Sequence, residues 1–146
     1  MIYTIGHSNI EIDYFLSVLK KYEINILCDI RIAPYSAYVP HFNKEKLADS
    51  CKKVGIMYIH KTELGSTNVY PLIEPTEKIL EILKKISATA KEKNVVLMSD
   101  GWDYQNCHRT ILAGWLEYHF KEKILPINIK NAEIFTKKTL QLNIFN

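Results

Sequence analysis

The sequence predicts an α/β protein of three layers, with a mainly parallel β-sheet covered by helices on both faces in a Rossmann-like arrangement. Three observations predict it. Short apolar segments alternate with amphipathic ones along the chain, the connections between them are short, and the apolar segments are continuous enough to be buried on both faces. The length of 146 residues suits one domain, so we predict a single domain over residues 1–146. The order of the strands cannot be read from the sequence.

The first strand and helix follow directly from the amino terminus. Residues 2–5 form a short apolar strand, and the pattern Ser8-x-x-Glu11 is a capping box that predicts the start of a helix. The apolar face of this helix repeats at i, i+3, i+4 and i+7 and comprises Ile12, Phe15, Leu16 and Leu19. Residues 24–30 predict the second strand, in which Asp29 is the polar exception.

A loop with two prolines separates the second strand from the second helix. We interpret residues 31–42 as irregular, and Asn43 is expected to cap a helix that ends at Gly55. The inward residues of this helix are Leu47, Cys51 and Val54. Residues 56–59 predict the third strand.

The third helix and fourth strand repeat the alternation. A polar stretch at residues 61–68 leads to a helix that begins at about Pro75. Its buried face comprises Ile79, Leu80, Leu83 and Ile86. Residues 95–98 predict the fourth strand.

The last third of the chain completes the sheet. A loop at residues 99–106 leads to a helix that begins near Cys107. Its inward residues are Ile111, Leu112, Trp115 and Leu116. Residues 124–129 predict a fifth strand despite one proline, and residues 130–146 are either a closing hairpin or a partner-binding tail.

Composition excludes several classes of protein. Hydrophobic residues make up 47% of the chain and charged residues 24%, as in ordinary globular proteins, and no apolar run approaches the roughly 20 residues of a membrane-spanning helix. The amino terminus lacks the features of a signal peptide, and the three cysteines form no C-x-x-C pair. We therefore expect a cytoplasmic protein with reduced thiols, no membrane segment and no cofactor. Its oligomeric state is left open.

Lysine supplies most of the positive charge. Of the 19 basic residues behind the net charge of +3, only Arg31 and Arg109 are arginine. Either these two positions require the planar, bidentate donor that arginine provides, or the composition is biased toward lysine and the two arginines have no special role. The scattered lysine pairs indicate solvated helix faces and argue against a large nucleic-acid footprint.

Polar side chains gather where the predicted strands end. In an open α/β sheet, the loops that leave the carboxyl ends of the strands form a crevice in which ligands bind. The residues expected at this edge are His7, Asp29, Arg31, Ser99, Asp100, Cys107, His108 and Arg109. The sequence therefore predicts a polar site at one edge of the sheet.

The start of the last helix is a candidate anion site. A helix start offers unpaired N–H groups and the positive end of the dipole, and Arg109 adds a bidentate donor. The same field would favour the thiolate of Cys107, a candidate nucleophile, although a small buried residue at a helix start is the alternative. Adjacent helical residues point in different directions, so one of Cys107, His108 and Arg109 must face away from any shared ligand.

The remaining titratable residues have both chemical and structural interpretations. His7 or His108 could move protons near neutral pH, with Asp100 as a further proton carrier. Asp29 either orients a histidine or pairs with Arg31, and His7 has the alternative of tying a loop to a helix. No ligand spacing supports a metal site made from these residues, so none is predicted.

Aromatic residues surround Arg31 in the long loop. Tyr35, Tyr38 and Phe42 could stack on nucleic-acid bases. Aromatic side chains in a long loop more often hold that loop in place, and the sequence alone leaves both interpretations open.

Several short motifs carry a family resemblance. In order they are Thr4-Ile5-Gly6-His7-Ser8, Asp29-x-Arg31-x-x-Pro34-x-Ser36 with Phe42-Asn43, Gly55-Ile56-x-Tyr58 with Leu64-Gly65, and Cys107-His108-Arg109. Over roughly residues 2–116 the chain resembles the family called domain of unknown function 488. The resemblance implies a prokaryotic cytosolic protein, but the family name assigns no activity. The matching polar positions are His7, Ser8, Asp29, Arg31, Ser36, Cys107, His108 and Arg109.

The chain departs from the family pattern after the fourth strand. Members typically carry Cys-x-Glu there, whereas this chain reads Ser99-Asp100-Gly101. Ser66 also stands where a second glycine is common. If the glutamate is catalytic in the family, this chain either binds without catalysis or uses Asp100 or Asp103 instead.

Three functions are compatible with these residues. The first is an enzyme that acts on a phosphate-bearing or other anionic substrate, a nucleotide or nucleic acid. Its substrate-binding candidates are Arg31, Arg109, Ser8, Ser36 and His108, and its catalytic candidates are Cys107, His7, Asp29 and Asp100. The second is a non-catalytic nucleic-acid or nucleotide binding module. The third is an adaptor or oligomer-forming protein whose polar edge is structural.

Overall fold

A computed structural model describes residues 1–103 and 108–136. Its strands and α-helices are β1 Ile2–Gly6, α1 Ile12–Lys21, β2 Ile26–Asp29, α2 Lys44–Lys53, β3 Met57–His60, α3 Ser66–Val69, α4 Glu77–Thr89, β4 Val95–Ser99, α5 His108–Phe120, β5 Ile124–Asn128 and β6 Glu133–Ile134. Two short 3-10 helices, Pro40–Phe42 and Thr62–Leu64, lie in the loops after β2 and β3. Cys107 and residues 137–146 lie outside the described residues.

The strands form one six-stranded, mostly parallel sheet, which confirms the predicted α/β class. The order is β3-β2-β4-β1-β5-β6, and β6 alone runs antiparallel, to β5. In this order β4 lies between β1 and β2. The register pairs Gly6 with Ser99 and Asp29 with Met98, so the three central strands end at the same level.

Helices cover both faces of the sheet, as the alternation predicted. The side chains of α1 and α2 pack on one face, and those of α4 and α5 pack on the other. Along β4, Val95 and Leu97 face the α4–α5 layer, whereas Val96 and Met98 face the α1–α2 layer. All four are buried, which explains why this strand reads as a continuous apolar run.

The predicted capping box at the start of α1 is wrong. The helix begins at Ile12 after Glu11, and no side chain caps it. Ser8 instead has a left-handed backbone with φ of 52°, and its N–H donates to the carbonyl oxygen of Asp100 at 2.8 Å. The loop after β1 is thereby joined to the loop after β4, which holds Ser8 away from the helix start.

The second helix begins and ends where the sequence predicts. Asn43 occupies the capping position, but its side chain does not cap; its Oδ1 accepts the N–H of Ser36 at 2.7 Å. Gly55 has φ of 78°, and the N–H of Ile56 reaches the Cys51 carbonyl at 2.9 Å, which closes the helix end. Asn43 therefore shapes the long loop rather than the helix.

The remaining elements add detail to the prediction. The stretch at 61–68 contains the second 3-10 helix and begins α3. Thr76 caps α4, since its Oγ1 accepts the N–H of Ile79 at 3.2 Å. Strand β6 pairs antiparallel with β5, and the choice between a closing hairpin and a partner-binding tail for residues 130–146 stays open, because most of them lie outside the described residues. No helix in residues 1–103 or 108–136 is long and apolar enough to cross a membrane.

Candidate functional site

The order of the strands brings the predicted polar residues to one edge of the sheet. The His7 N–H donates to the Ser99 carbonyl at 3.0 Å, and the Ile30 N–H donates to the Met98 carbonyl at 3.0 Å. These backbone bonds continue the sheet beyond the ends of β1 and β2. His7, Arg31 and Asp100 thus leave three adjacent strands side by side.

Asp29 and Arg31 form a buried ion pair at the end of β2. Asp29 is fully buried and Arg31 is 6% exposed. The guanidinium donates from Nε to Oδ1 at 2.9 Å and from Nη2 to Oδ2 at 2.7 Å, a bidentate arrangement. The charges are therefore largely matched within the protein, as in the structural alternative for this pair.

Further residues fix the ion pair in place. The Tyr58 hydroxyl on β3 donates to Asp29 Oδ2 at 2.5 Å, and Arg31 Nη2 also donates to the Phe42 carbonyl at 2.7 Å. His60 Nε2 donates to the Arg31 carbonyl at 2.7 Å. Burial lowers the pKa of Arg31, but the hydrogen bond and charge of Asp29 outweigh it and raise the pKa overall. Arg31 is thus a fixed cation at neutral pH.

Sequence reasoning gave no role to Tyr58 or His60. Tyr58 was visible only as the last position of the Gly55-Ile56-x-Tyr58 motif, and His60 carried no signal. Their contacts depend on β3 lying beside β2, which the sequence did not reveal. Burial, followed by the hydrogen bond to Asp29, raises the pKa of Tyr58, so its hydroxyl stays protonated and donates.

His7 has a defined tautomer. Its Nδ1 lies 2.6 Å from the Ser8 carbonyl oxygen, which can only accept, so Nδ1 carries the hydrogen. Its Nε2 lies 3.3 Å from Nη1 of Arg31, which can only donate, so Nε2 presents its lone pair. Burial, with Arg31 adding to it, lowers the pKa of His7 to about 4 although the Ser8 bond opposes this. The ring stacks on Phe42 with centroids 4.4 Å apart and is neutral at pH 7.

Arg109 is buried beneath the loop that follows β4 and stabilises that loop against the sheet. It is 1% exposed, and its Nη1 donates to Ser99 Oγ and to the Gly101 carbonyl, the latter at 2.8 Å. Gly6 makes this packing possible, because a Cβ there would lie 1.5 Å from the Gly101 carbonyl oxygen and 2.9 Å from Arg109 Nη1. The Nη1 contacts of Arg109 are thus internal to the fold.

His108 lies next to Arg109 at the start of α5 and is also buried. Burial, followed by the charge of Arg109, lowers its pKa, while a hydrogen bond with the Ile30 backbone opposes this. Its ring lies 6.0 Å from the ring of Tyr70. The side chains of His108 and Arg109 both point into the fold, and Cys107 lies outside the described residues, so its predicted role as a nucleophile stays a prediction.

A cleft of about 310 Å³ opens above the ion pair. Its lining residues are His7, Ser8, Asn9, Arg31, Ala33, Tyr35, Ser36, Tyr38, Val39, Asp100 and Gly101. Five of the predicted site residues therefore meet there, namely His7, Ser8, Arg31, Ser36 and Asp100. Asp29, His108 and Arg109 are not among its lining residues.

Comparison with known proteins identifies part of the chain. Residues 11–71 match the family described as Domain of unknown function DUF488. The chain carries a DUF488 domain at these residues. No curated protein and no solved structure matches the chain. The resemblance over residues 2–10 and 72–116 stays a prediction.

The DUF488 match contains the ion pair and the loop that forms one wall of the cleft. Asp29, Arg31 and Ser36 lie inside the matched residues, whereas His7 and Asp100 lie outside them. Tyr58 also lies inside, so the whole Tyr58–Asp29–Arg31 unit belongs to the DUF488 domain.

The loop of the DUF488 domain carries aromatic residues of two kinds. Phe42 is fully buried and packs on Phe15 and His7, so it holds the loop in place. Tyr38 is 96% exposed at the rim of the cleft, and Tyr35 is 57% exposed with its hydroxyl on Glu45 at 2.8 Å. The structural interpretation fits Phe42, and it does not fit Tyr38.

Metal-ligand and thiol chemistry is limited in the described part of the chain. No group of three or more His, Cys, Asp or Glu residues there could hold a metal ion. Cys28 and Cys51 are free and buried, and burial raises the pKa of each thiol to about 12. Neither is a nucleophile near neutral pH.

Proposed function

We propose that the chain binds a nucleotide, or a single nucleotide unit of a nucleic acid, in the cleft above the ends of β1, β2 and β4. The observation that carries the proposal is the position of Tyr38. Its side chain is 96% exposed at the rim of the cleft, so its ring is open to a ligand bound there. Stacking of a base on such a ring is worth about 1–3 kcal/mol.

The floor of the cleft suits a phosphate group. Arg31 Nη1 carries two hydrogens, and the contacts with His7 described above use one of them. The hydroxyl groups of Ser8 and Ser36 line the same cleft and can donate to phosphate oxygens. A single buried arginine flanked by hydroxyls favours one phosphate group over a long polyanion, in agreement with the scattered lysines.

The other side of the cleft suits a sugar. Asp100 is exposed and lies across from the loop that carries Tyr38. A carboxylate would repel a second phosphate, but it accepts hydrogen bonds from ribose hydroxyls. Base, sugar and phosphate are thus each matched by a group of complementary chemistry.

A direct binding experiment tests the proposal. Thermal shift and titration calorimetry would compare AMP, GMP, CMP and UMP with adenosine, ribose 5-phosphate and inorganic phosphate. We expect a nucleoside monophosphate to bind best, and we expect Tyr38→Ala to weaken it about tenfold or more while Tyr38→Phe preserves it. Tyr118→Ala is the matched control, because Tyr118 is exposed near the opposite end of α5. Binding that is absent, or equal in Tyr38→Ala, would reject the proposal.

Catalysis on the bound nucleotide is a second candidate, and the tautomer of His7 favours it. Its Nε2 carries the lone pair near neutral pH, because its hydrogen is fixed on Nδ1 and its pKa is low, and this lone pair would become available to a ligand once Nη1 of Arg31, 3.3 Å away, turns to a bound phosphate. Such a nitrogen can accept a proton from a water molecule or hydroxyl. Chromatography of nucleotides incubated with wild type and His7→Gln would detect turnover. A product formed equally by both proteins would exclude His7 as the base.

A further inference from the structure

A second concave surface lies between β3 and α4, on the face of the sheet that α4 covers. It is an apolar groove of about 130 Å³ with Ile26 and Ile59 on the sheet side. Ile82 and Ile86 of α4 form the facing wall. We call this surface the β3 groove. It shares no lining residue with the cleft and therefore does not belong to the nucleotide proposal.

The fold explains why this groove is open. On one face of the sheet α2 packs against β3, while on the other face α4 packs against α5 over the centre of the sheet. Ile59 packs on the α4 side of the sheet, and Met57, two residues earlier in the strand, lies on the same side. Met57 is 56% exposed. Apolar side chains at the end of the sheet are thus left without a covering helix in the described part of the chain.

The strand beside the groove has an unpaired edge. Among the described residues β3 pairs with β2 alone. Met57 and Lys61 donate their N–H groups toward β2, to Asn25 and Asp29. Because backbone groups alternate along a strand, the N–H and C=O groups of Tyr58 and His60 face outward. The four residues of β3 carry no lysine, acid or proline, the side chains that commonly block such an edge.

The charge around the groove selects its occupant. Lys61 and Lys85 stand at its rim, and neither forms an ion pair with a described residue. A two-fold contact between identical copies would bring the same two lysines of both chains together, so like charges disfavour a second copy. Carboxylates complement these lysines. The volume, near the roughly 150 Å³ that accommodates one benzene ring, suits a single apolar side chain.

We propose that the β3 groove binds an extended acidic segment of another protein. The segment adds a strand to β3, places one aliphatic or aromatic side chain between β3 and α4, and directs flanking carboxylates to Lys61 and Lys85. Main-chain hydrogen bonds to the outward groups of β3 give affinity, and the groove with its two lysines gives specificity.

A peptide selection tests this proposal with the full chain. A displayed library of random dodecapeptides would be selected in parallel on wild type, on Lys61→Glu/Lys85→Glu and on Lys84→Glu. Lys84 is the matched control, because it is exposed on α4 and lines a different depression with Glu77 and Glu81. We expect wild type and Lys84→Glu to enrich peptides with one large apolar residue flanked by Asp or Glu. The double variant should bind them at least tenfold more weakly.

A second measurement reports on the added strand. In wild type saturated with an enriched peptide, hydrogen exchange followed by NMR should slow at the amides of Tyr58 and His60. The proposal is overturned if no acidic peptide is enriched, if the double variant binds the enriched peptides equally well, or if those amides are unchanged. A dimer that Met57→Asp dissociates in analytical ultracentrifugation would also overturn it, since a second copy would then occupy the groove.

Discussion

Asp29 and Arg31 stand two residues apart and bind each other through two hydrogen bonds, Nε to Oδ1 at 2.9 Å and Nη2 to Oδ2 at 2.7 Å. So short a spacing is possible because β2 ends at Asp29 and the chain turns, with the Arg31 N–H also donating to Oδ1 at 3.1 Å. The pair is buried at the floor of the cleft. It fixes the guanidinium that the proposed phosphate would meet.

Removal of one charge from this pair should destabilise the fold. Asp29→Asn leaves the buried Arg31 cation without its carboxylate, which typically costs about 3–5 kcal/mol. Asp49→Asn is the control, because the Asp49–Lys53 pair at 3.1 Å is largely exposed and such pairs contribute about 0–1 kcal/mol. Urea denaturation at pH 7 gives both values. Equal losses in the two variants would contradict the buried ion pair.

The Tyr58 hydroxyl should contribute through Asp29. Tyr58→Phe removes a donor to a buried carboxylate, and we expect a loss of about 1–3 kcal/mol in the free energy of unfolding. The comparable change Tyr35→Phe removes a hydroxyl whose acceptor, Glu45, is exposed. Its cost should be below about 0.5 kcal/mol. If the two variants unfold at the same urea concentration, the buried Tyr58–Asp29 hydrogen bond contributes no more to the free energy of unfolding than the exposed Tyr35–Glu45 bond.

The local periodicity of the sequence predicted most of the elements, since a strand such as β4 and a helix such as α4 show their apolar pattern within a few residues. The order β3-β2-β4-β1 could not be predicted, because pairing between distant strands leaves no local signal. The contact of Tyr58 with Asp29 depends on that order and was missed for the same reason.

The candidate site was predicted in its position more than in its contacts. His7, Arg31 and Asp100 meet at the cleft because parallel strands end at one edge, a general property of the fold. Whether a polar side chain faces a ligand or the protein depends on backbone details such as the left-handed Ser8 and the glycine at position 6. Those details determine that Arg109 Nη1 contacts Ser99 and Gly101.

The low pKa of His7 should make the fold sensitive to acid. In the unfolded chain its pKa is near 6.5, and in the folded protein it is about 4, so the unfolded state binds the proton first as the pH falls. The stability that His7 confers is present above pH 6.5 and falls by about 3 kcal/mol between pH 6.5 and 4. His7→Phe should lose less stability than wild type over this range.

Urea denaturation of wild type and His7→Phe between pH 7 and pH 4 measures this difference. The other titrating groups are common to both proteins, so the difference between the two curves reports on His7. His119→Phe is the control, because it makes the same substitution at an exposed position at the end of α5 and leaves His7 in place. Parallel curves for wild type and His7→Phe would show that His7 is not buried in its neutral form.

Two glycines should respond in opposite directions to alanine. Gly6→Ala forces the Gly101 backbone away from β1, and we expect a loss of about 3 kcal/mol. Gly114 lies within α5 and has open space around it, so Gly114→Ala should gain about 0.5–1 kcal/mol from helix propensity. Thermal unfolding of both variants checks the signs. A stable Gly6→Ala protein would show that the loop after β4 does not pack against β1.

Thiol labelling separates Cys107 from the other two cysteines. Because burial holds the pKa of Cys28 and Cys51 at about 12, only about one in ten thousand of these thiols is ionised at pH 8, and neither should react with iodoacetamide in the folded protein. Any labelling of the native chain should therefore disappear in Cys107→Ser and persist in Cys51→Ser, while all three thiols react in guanidinium chloride.

A native thiol that reacts rapidly at pH 6 would support the predicted nucleophile, because only a thiol of lowered pKa is ionised there. If no thiol reacts, Cys107 is protected like the other two and His7 is left as the candidate base without a nucleophilic partner.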